Sequence, residues 1–355
     1  MTIRITKPEI NLREKISELD KPSGVAGEAM LRAETPQEQQ AMIGVGRRNM
    51  LINGDMKVSQ RGNYTGATTA ALDAYFLDRW KCDRNGTATM EHTTSHDIPG
   101  SPAICKAIKL VQTVTGNNYL GIRQKIEDPT QYVGRTFTYS GWVRSNTSNA
   151  RLECFVHGTN QTAIGPNHSG NGEWEFLSFT WTMSGIPSTN WYADVFIDSG
   201  AYGNVTITAG DYFEATMLQL EEGKVATPFE HRSYGEELAL CQRYYYRWEG
   251  SVYDFLAPVQ LHGSNQYRVV IDVPVALRIA PSITWSGLAT WYAAGSLSAG
   301  FSAIGNGYLS STRTNITRVP MAMTPTSTIL AAYQTGMLSA DNTSNLQYLA
   351  FDSEL

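Results

Sequence analysis

The chain has 355 residues, of which only 17% are charged, and its net charge is −5 without a long basic run. We therefore do not expect nucleic acid as a partner, because binding to its phosphates needs clustered Lys and Arg side chains. No stretch approaches the roughly 18 consecutive apolar residues of a membrane span, and the opening MTIRITKPEI lacks the apolar core of a signal peptide. These features predict synthesis in a cytoplasm, without membrane insertion.

Residues 1–47 form the first predicted unit, which is rich in charge and has no aromatic side chain. Asn11 is a candidate N-cap for REKISELD, and Thr35 followed by Pro36 is a candidate N-cap and first turn for QEQQAMIG. Two short helices, each with a single apolar stripe, cannot form a core alone. We therefore expect an N-terminal attachment arm.

Residues 48–232 are predicted to form a series of β-strands separated by turns. The clearest strand candidates are TFTYSGWVRS (136–145), RLECFVHG (151–158), EFLSFTWTM (175–183), WYADVFIDSG (191–200) and YFEATMLQL (212–220). No helix-length apolar period lies between them, so the pattern favours an antiparallel β-sandwich over an α/β fold. The expected fold class is mainly β.

Residues 233–250 are predicted to form a linker helix that ends in an aromatic cluster, and residues 251–355 a second, smaller β domain. In the latter range, segments such as FLAPVQLHG, YRVVIDVPVAL and LQYLAFDSEL again alternate strand and turn signals. The chain shows no self-similarity at a period of about 20 to 50 residues, which counts against a β-helical tailspike.

Five motifs occur in a fixed order: NMLINGDMKVSQRG (49–62), FLDRW (76–80), QLEEG (219–223), ATPFEHR (226–232) and CQRYY (241–245). In these motifs the chain resembles a family of virion proteins of tailed bacteriophages, mostly tail fibres. The resemblance covers roughly residues 35–250 and is thin beyond them. It implies a jelly-roll sandwich of the galactose-binding, carbohydrate-binding-module kind.

The resemblance also implies a role as a tail fibre or other tail-associated virion protein that contributes to host-surface glycan recognition and adsorption. We expect a homo-oligomer, a trimer, because fibres are symmetric assemblies. Residues 1–47 would contact other tail or baseplate proteins. Two alternatives remain open: a purely structural tail connector without a ligand, and a polysaccharide-degrading tailspike enzyme.

Strand alternation gives the candidate glycan-binding residues. Period two places Phe137, Tyr139 and Val143 on a core face, and likewise Leu152, Cys154 and Val156. If the opposite faces share one sheet, they form a surface of rings beside acids and an arginine, which suits sugars. This predicted site consists of Trp142, Arg144, Phe155, His157, Tyr192, Asp194 and Phe196. The competing interpretation is that a loop, a domain or a neighbouring subunit covers these rings.

Catalytic motifs are missing from the sequence, which contains no GxSxG, HExxH or Walker sequence. Carboxylates such as Glu173, Glu175, Asp194 and Asp198 could form a glycosidase pair, but acids on sheet faces are usually solvated. We therefore expect no enzymatic activity. The four cysteines form no CxxC pair, and buried thiols are the simplest interpretation.

No cofactor is expected except a structural calcium ion, which sandwiches that resemble carbohydrate-binding modules often carry near their first and last strands. The residues in the corresponding places are Asn53, Asp55 and Glu214. Calcium takes six to eight oxygen ligands, so backbone carbonyls and water would complete the shell.

Overall fold

The computed structural model describes most of the chain from residue 48 to residue 354. The described ranges are 48–95, 97–99, 105–117, 119–156, 161–185, 191–197, 206–251, 254–262, 266–286, 288–292, 297–305, 314–325, 335–340 and 347–354. The predicted helices of residues 1–47 lie outside them.

Two six-stranded sheets form the sandwich. Sheet A contains, in spatial order, β1 (Thr68–Thr69), β4 (Ala88–Ser95), β5 (Cys105–Gln112), β14 (Tyr212–Glu222), β8 (Thr136–Ser145) and β11 (Trp174–Thr182). Sheet B contains β10 (Gln161–Asn167), β9 (Ala150–Val156), β12 (Trp191–Ile197), β7 (Leu120–Ile126), β3 (Trp80–Arg84) and β2 (Tyr75–Leu77). A short pair, β6 (Gly116–Asn117) and β13 (Thr206–Ile207), and a 3-10 helix at Pro129–Tyr132 complete this part.

The core lies between the two sheets and follows the predicted alternation. Phe137, Tyr139 and Val143 of β8 are fully buried, and they belong to one apolar cluster with Leu152 and Cys154 of β9. Burying a large apolar side chain contributes about 1.5–3 kcal/mol, so this two-sided cluster stabilises the sandwich. The four cysteines are free and buried, as predicted.

The predicted linker helix over residues 233–250 is wrong in its second half. Helix α1 (Tyr234–Gln242) begins at the N-cap Ser233, whose side chain forms a capping box with Glu236. It ends before the aromatic cluster, and β15 (Tyr245–Gly250) follows. Tertiary pairing explains the difference, because β15 lies antiparallel to β23 (Gln347–Asp352) at the other end of the chain.

The C-terminal part is also built from strands. A three-stranded sheet has the order β15, β23, β18 (Ser282–Ser286). A closed six-stranded barrel has the order β16 (Phe255–His262), β17 (Gln266–Ile279), β21 (Thr314–Pro325), β20 (Leu297–Gly305), β19 (Leu288–Tyr292) and β22 (Thr335–Ala340). The predicted fold class, a sandwich followed by a second β domain, is confirmed. No helix in the part of the chain that the structure describes is long and apolar enough to cross a membrane.

The opening motif of the sandwich is held by the ATPFEHR segment. The Glu230 carboxylate accepts hydrogen bonds from the backbone N–H groups of Arg48 and Asn49, at 3.1 and 2.9 Å. Arg232 donates to the same carboxylate at 2.7 Å and to the Asn49 carbonyl at 2.6 Å. Asn49 in turn accepts from Leu220 N–H at 3.1 Å on the closing strand β14. Three of the five sequence motifs are therefore joined by one hydrogen-bond network.

The FLDRW motif ties the sandwich to the C-terminal part. Asp78 and Arg79 form the two-residue turn between β2 and β3, and Arg79 has a left-handed φ of 70°. Its guanidinium is buried, lies 3.7 Å from the Tyr244 ring centroid, donates to the Lys125 carbonyl at 2.7 Å and pairs with Glu354. Arg61 reaches the same Glu354 carboxylate at 3.1 Å. We call Arg61, Arg79, Lys125, Tyr244 and Glu354 the junction.

Asp78 connects the same two parts through a glutamine. It accepts from the backbone N–H and the side-chain amide of Gln60, both at 2.6 Å, and that amide also donates to the Tyr245 carbonyl at 2.9 Å. Burial raises the pKa of Asp78 to about 6, against the opposing effect of these hydrogen bonds.

Replacing Glu354 with Gln should lower the free energy of unfolding by about 3–5 kcal/mol, because a buried guanidinium then loses its counter-charge. Urea unfolding of the full chain measures this loss. The matched control is Glu222→Gln, which removes the partner of Arg135 from a pair whose side chains are 43% and 47% exposed. That exposed pair is worth about 0–1 kcal/mol. Equal losses in the two variants would contradict the role assigned to Glu354.

Candidate functional site

The predicted glycan-binding residues do not share one surface. Trp142 and Arg144 lie on β8 in sheet A, whereas Phe155 lies on β9 in sheet B, next to the β12 strand with Tyr192, Asp194 and Phe196. The expectation of a common sheet is wrong, because β8 pairs with β11 and β14, whereas β9 pairs with β10 and β12. His157 lies outside the described residues.

Around Trp142 and Arg144, the register of sheet A assembles a different set. Trp142 lies opposite Phe176, and Arg144 lies between Trp174 on β11 and Glu214 on β14. Together with Ser95 at the end of β4 and Asp97 just after it, they form what we call the outer patch: Ser95, Asp97, Trp142, Arg144, Trp174, Phe176 and Glu214.

The aromatic half of the outer patch reaches solvent. The rings of Trp142 and Phe176 are 5.5 Å apart between centroids at an interplanar angle of 60°. Phe176 is 47% exposed on the edge strand β11. Trp142 is half-buried and packs against a small apolar cluster that contains Trp174 and Met217. Phe176 therefore presents an exposed ring to solvent, and Trp142 beside it is held in place by the apolar cluster.

The polar half is a network centred on the Arg144 guanidinium. Its Nη2 donates to both carboxylate oxygens of Glu214 at 2.9 Å, and its Nη1 donates to Asp97 at 3.0 Å. The guanidinium carbon lies 5.0 Å from the Trp174 ring centroid. Burial disfavours the charged guanidinium, but the two carboxylates outweigh it, and the pKa of Arg144 is raised. The Arg144 guanidinium therefore stays charged at neutral pH.

Asp97 is the carboxylate of the outer patch that solvent reaches most easily. Its side chain is 58% exposed, compared with 4% for Glu214. It accepts from the Ser95 hydroxyl, from the Trp174 indole N–H at 3.1 Å and from Arg144. The Ser95 hydrogen bond is the main cause that holds the pKa of Asp97 below its ordinary value, although partial burial opposes it.

The residues predicted to bind calcium are not brought together. The Asn53 amide accepts from Val58 N–H at 2.9 Å and donates to the Asp78 carbonyl at 3.0 Å. Asp55 pairs with Lys57 at 2.9 Å, and Glu214 belongs to the outer patch. The three candidates thus take part in separate polar networks. Within the described ranges, no group of three or more His, Cys, Asp and Glu side chains is arranged to hold a metal ion.

The sequence analysis predicts no binding role for four residues of the outer patch, Ser95, Asp97, Trp174 and Phe176, although two of them carry a sequence signal. Alternation along EWEFLSFTWTM places Trp174 and Phe176 on one face and Leu177, Phe179 and Trp181 on the other. Asp97 carried no such signal. It follows the end of β4, and only the pairing of strands distant in sequence brings it to Arg144.

Comparisons with known proteins show no family. No family model matches the chain, and no curated protein matches it. A solved structure of the enzymatically active domain of tailspike protein 4 from bacteriophage CBA120 is 14% identical, with a TM-score of 0.35, over 49% of this chain and 21% of that chain.

Two further solved structures come from Paenibacillus barcinonensis Xyn10C. Its CBM22-2 xylan-binding domain is 14% identical, with a TM-score of 0.30, over 44% of this chain and 99% of that chain. Its CBM22-1-CBM22-2 tandem domain is 10% identical, with a TM-score of 0.29, over 82% of this chain and 100% of that chain. At such identities and TM-scores, none of the three similarities establishes a family or a shared ligand.

Proposed function

We propose that the protein binds glycans through the outer patch and acts, without enzymatic activity, in host-surface recognition by a bacteriophage tail. The observation that carries the glycan-binding part is the half-exposed Phe176 ring, which packs at a tilt against Trp142, directly beside the network of Arg144 and Asp97. A sugar ring has apolar C–H faces that pack on aromatic rings and hydroxyls that need hydrogen-bond partners. The outer patch offers both within one sheet face.

Phe176 and Asp97 of the outer patch are open to solvent, so a single copy should bind weakly. A few ring contacts and exposed hydrogen bonds correspond to a dissociation constant on the order of 0.1–1 mM, because water competes for each polar contact. Several copies on one particle raise the avidity by roughly 100-fold or more when they engage together. Weak single sites are therefore compatible with firm adsorption.

The position of the protein in the virion is inferred from the five sequence motifs and their order. We propose a homotrimer whose residues 1–47 attach to other tail or baseplate proteins and whose β domains point outward. This proposal locates the protein in the tail of the particle, after synthesis in the host cytoplasm.

A purely structural connector is the second candidate function. It is favoured by the position of the motif residues. Arg79 pairs with Glu354 in the junction, and Arg232 pairs with Glu230, so these side chains hold the structure together and do not form an exposed binding surface. In that case another virion protein, and not a glycan, would cover Phe176.

Phe176→Ala should abolish binding on a glycan array and reduce adsorption of particles, while the melting temperature stays within a few degrees of the parent. The reason is that Phe176 supplies open ring surface and is half-exposed on an edge strand, so its removal leaves little cavity. Trp142→Ala is a less clean test, because Trp142 also packs against the apolar cluster below it.

Ile164→Ala is the matched control. Ile164 lies on the edge strand β10 of sheet B and is also 47% exposed. The Ile164→Ala variant should bind every glycan that the parent protein binds. Equal binding by the parent and by Phe176→Ala would rule out the outer patch as the glycan site. If particles adsorb normally to the host although the parent protein binds no glycan on the array, the structural connector would be the favoured function.

Light scattering on the purified full chain should give a mass of three times 39.2 kDa. Closed symmetric assembly is the rule for soluble homo-oligomers and suits a fibre. A monomer at micromolar concentration, with one copy also present in the particle, would contradict the trimer.

A further inference from the structure

We infer that the outer patch selects neutral over acidic glycans, and that Asp97 is the residue that determines this selectivity. The inference rests on the proposed glycan-binding function and names the class of its ligand. It follows from three features of the outer patch: its charge balance, the engagement of its arginine and the exposure of its carboxylates.

In the part of the chain that the structure describes, the ion pairs around Arg144 carry no net positive charge. The positive side chains are Arg144 and Lys109, whose Nζ lies 3.7 Å from the Glu214 carboxylate. They pair with the carboxylates of Glu214 and Asp97, and Glu91 lies opposite Lys109 in the register of β4 and β5. The carboxylates therefore at least balance the cations, which leaves no net positive field to attract an acidic sugar.

Arg144 is the natural receptor for a sugar carboxylate, but its guanidinium is already engaged. Two of its nitrogens donate to Glu214 and Asp97, and its Nε is buried without a partner, where a ligand in solvent does not reach it. A third carboxylate at this position would add a negative charge beside two others, and like charges at short distance repel. An acidic sugar would therefore have to break an existing pair.

Asp97 suits a neutral sugar for the opposite reason. It is held in place by Ser95, Trp174 and Arg144, yet more than half of its side chain faces solvent. A fixed carboxylate accepts hydrogen bonds from sugar hydroxyls, and such charge-assisted bonds are stronger than neutral ones. The same charge rejects a uronic or sialic acid. One side chain thus supplies both attraction and discrimination.

The test is a glycan array that carries neutral oligosaccharides together with oligosaccharides containing uronic or sialic acid, probed with the full chain. We expect the parent to bind neutral members. Asp97→Asn should weaken neutral binding about fivefold to tenfold, the difference between a charge-assisted and a neutral hydrogen bond. It should also reduce the preference for neutral over acidic oligosaccharides, because the negative charge that repels acidic ones is lost.

Asp272→Asn is the control with the same change of charge. Asp272 lies on the barrel, where its 73% exposed side chain pairs with Arg318, and its replacement should leave both glycan classes unaffected. If Asp97→Asn does not fold, Ser95→Ala replaces it. That variant frees the Asp97 carboxylate to rotate and should weaken neutral binding by a smaller factor.

The outcomes separate the two levels of the proposal. A parent that binds no glycan refutes the proposed function and the inference with it. A parent that binds mainly acidic glycans, or an Asp97→Asn variant that keeps the parent's affinity and preference, refutes the inference and leaves the proposed function standing.

Discussion

The buried pairing of Arg79 with Glu354 is the constraint on which the arrangement of the two β parts depends. The sandwich contributes Arg79 from a two-residue turn with a left-handed backbone, and the last described strand leads directly to Glu354. Burying a guanidinium is costly unless a carboxylate and further acceptors surround it. Here Glu354, the Lys125 carbonyl and the Tyr244 ring surround it, so the C-terminal part must dock for the sandwich turn to be satisfied.

Two sets of side chains in the sandwich have different roles, one in holding the structure together and one in forming the outer patch. The motif side chains Asn49, Arg79 and Glu230 hold the opening and closing strands and the C-terminal part together. The outer patch lies on sheet A, and its side chains belong to the network around Arg144. Its two most exposed side chains, Phe176 and Asp97, could therefore vary without loss of the architecture, whereas Trp142, Trp174 and Glu214 are also part of the packing beneath them.

Much of the fold could be predicted from the sequence, because alternation is a local signal. The core faces of β8 and β9 followed directly from period two, as did the outward position of Trp142. Assignment of a strand to one sheet or the other is not local, so alternation alone does not show that Phe155 and Trp142 lie on different sheets. The helix signal of SYGEELALCQR likewise does not reveal that Tyr245 leaves the helix, because its strand partner, Asp352, lies more than 100 residues away.

The most direct test of the central claim is the response of the indole N–H signals in the NMR spectrum during titration with a neutral oligosaccharide. Trp142 and Trp174 should shift in a saturable manner, because the first supplies ring surface and the second donates to Asp97. Trp80, whose indole donates to the buried Asn53 carbonyl, should not move. Saturable binding that leaves Trp142 and Trp174 unshifted would contradict the assignment of glycan recognition to the outer patch.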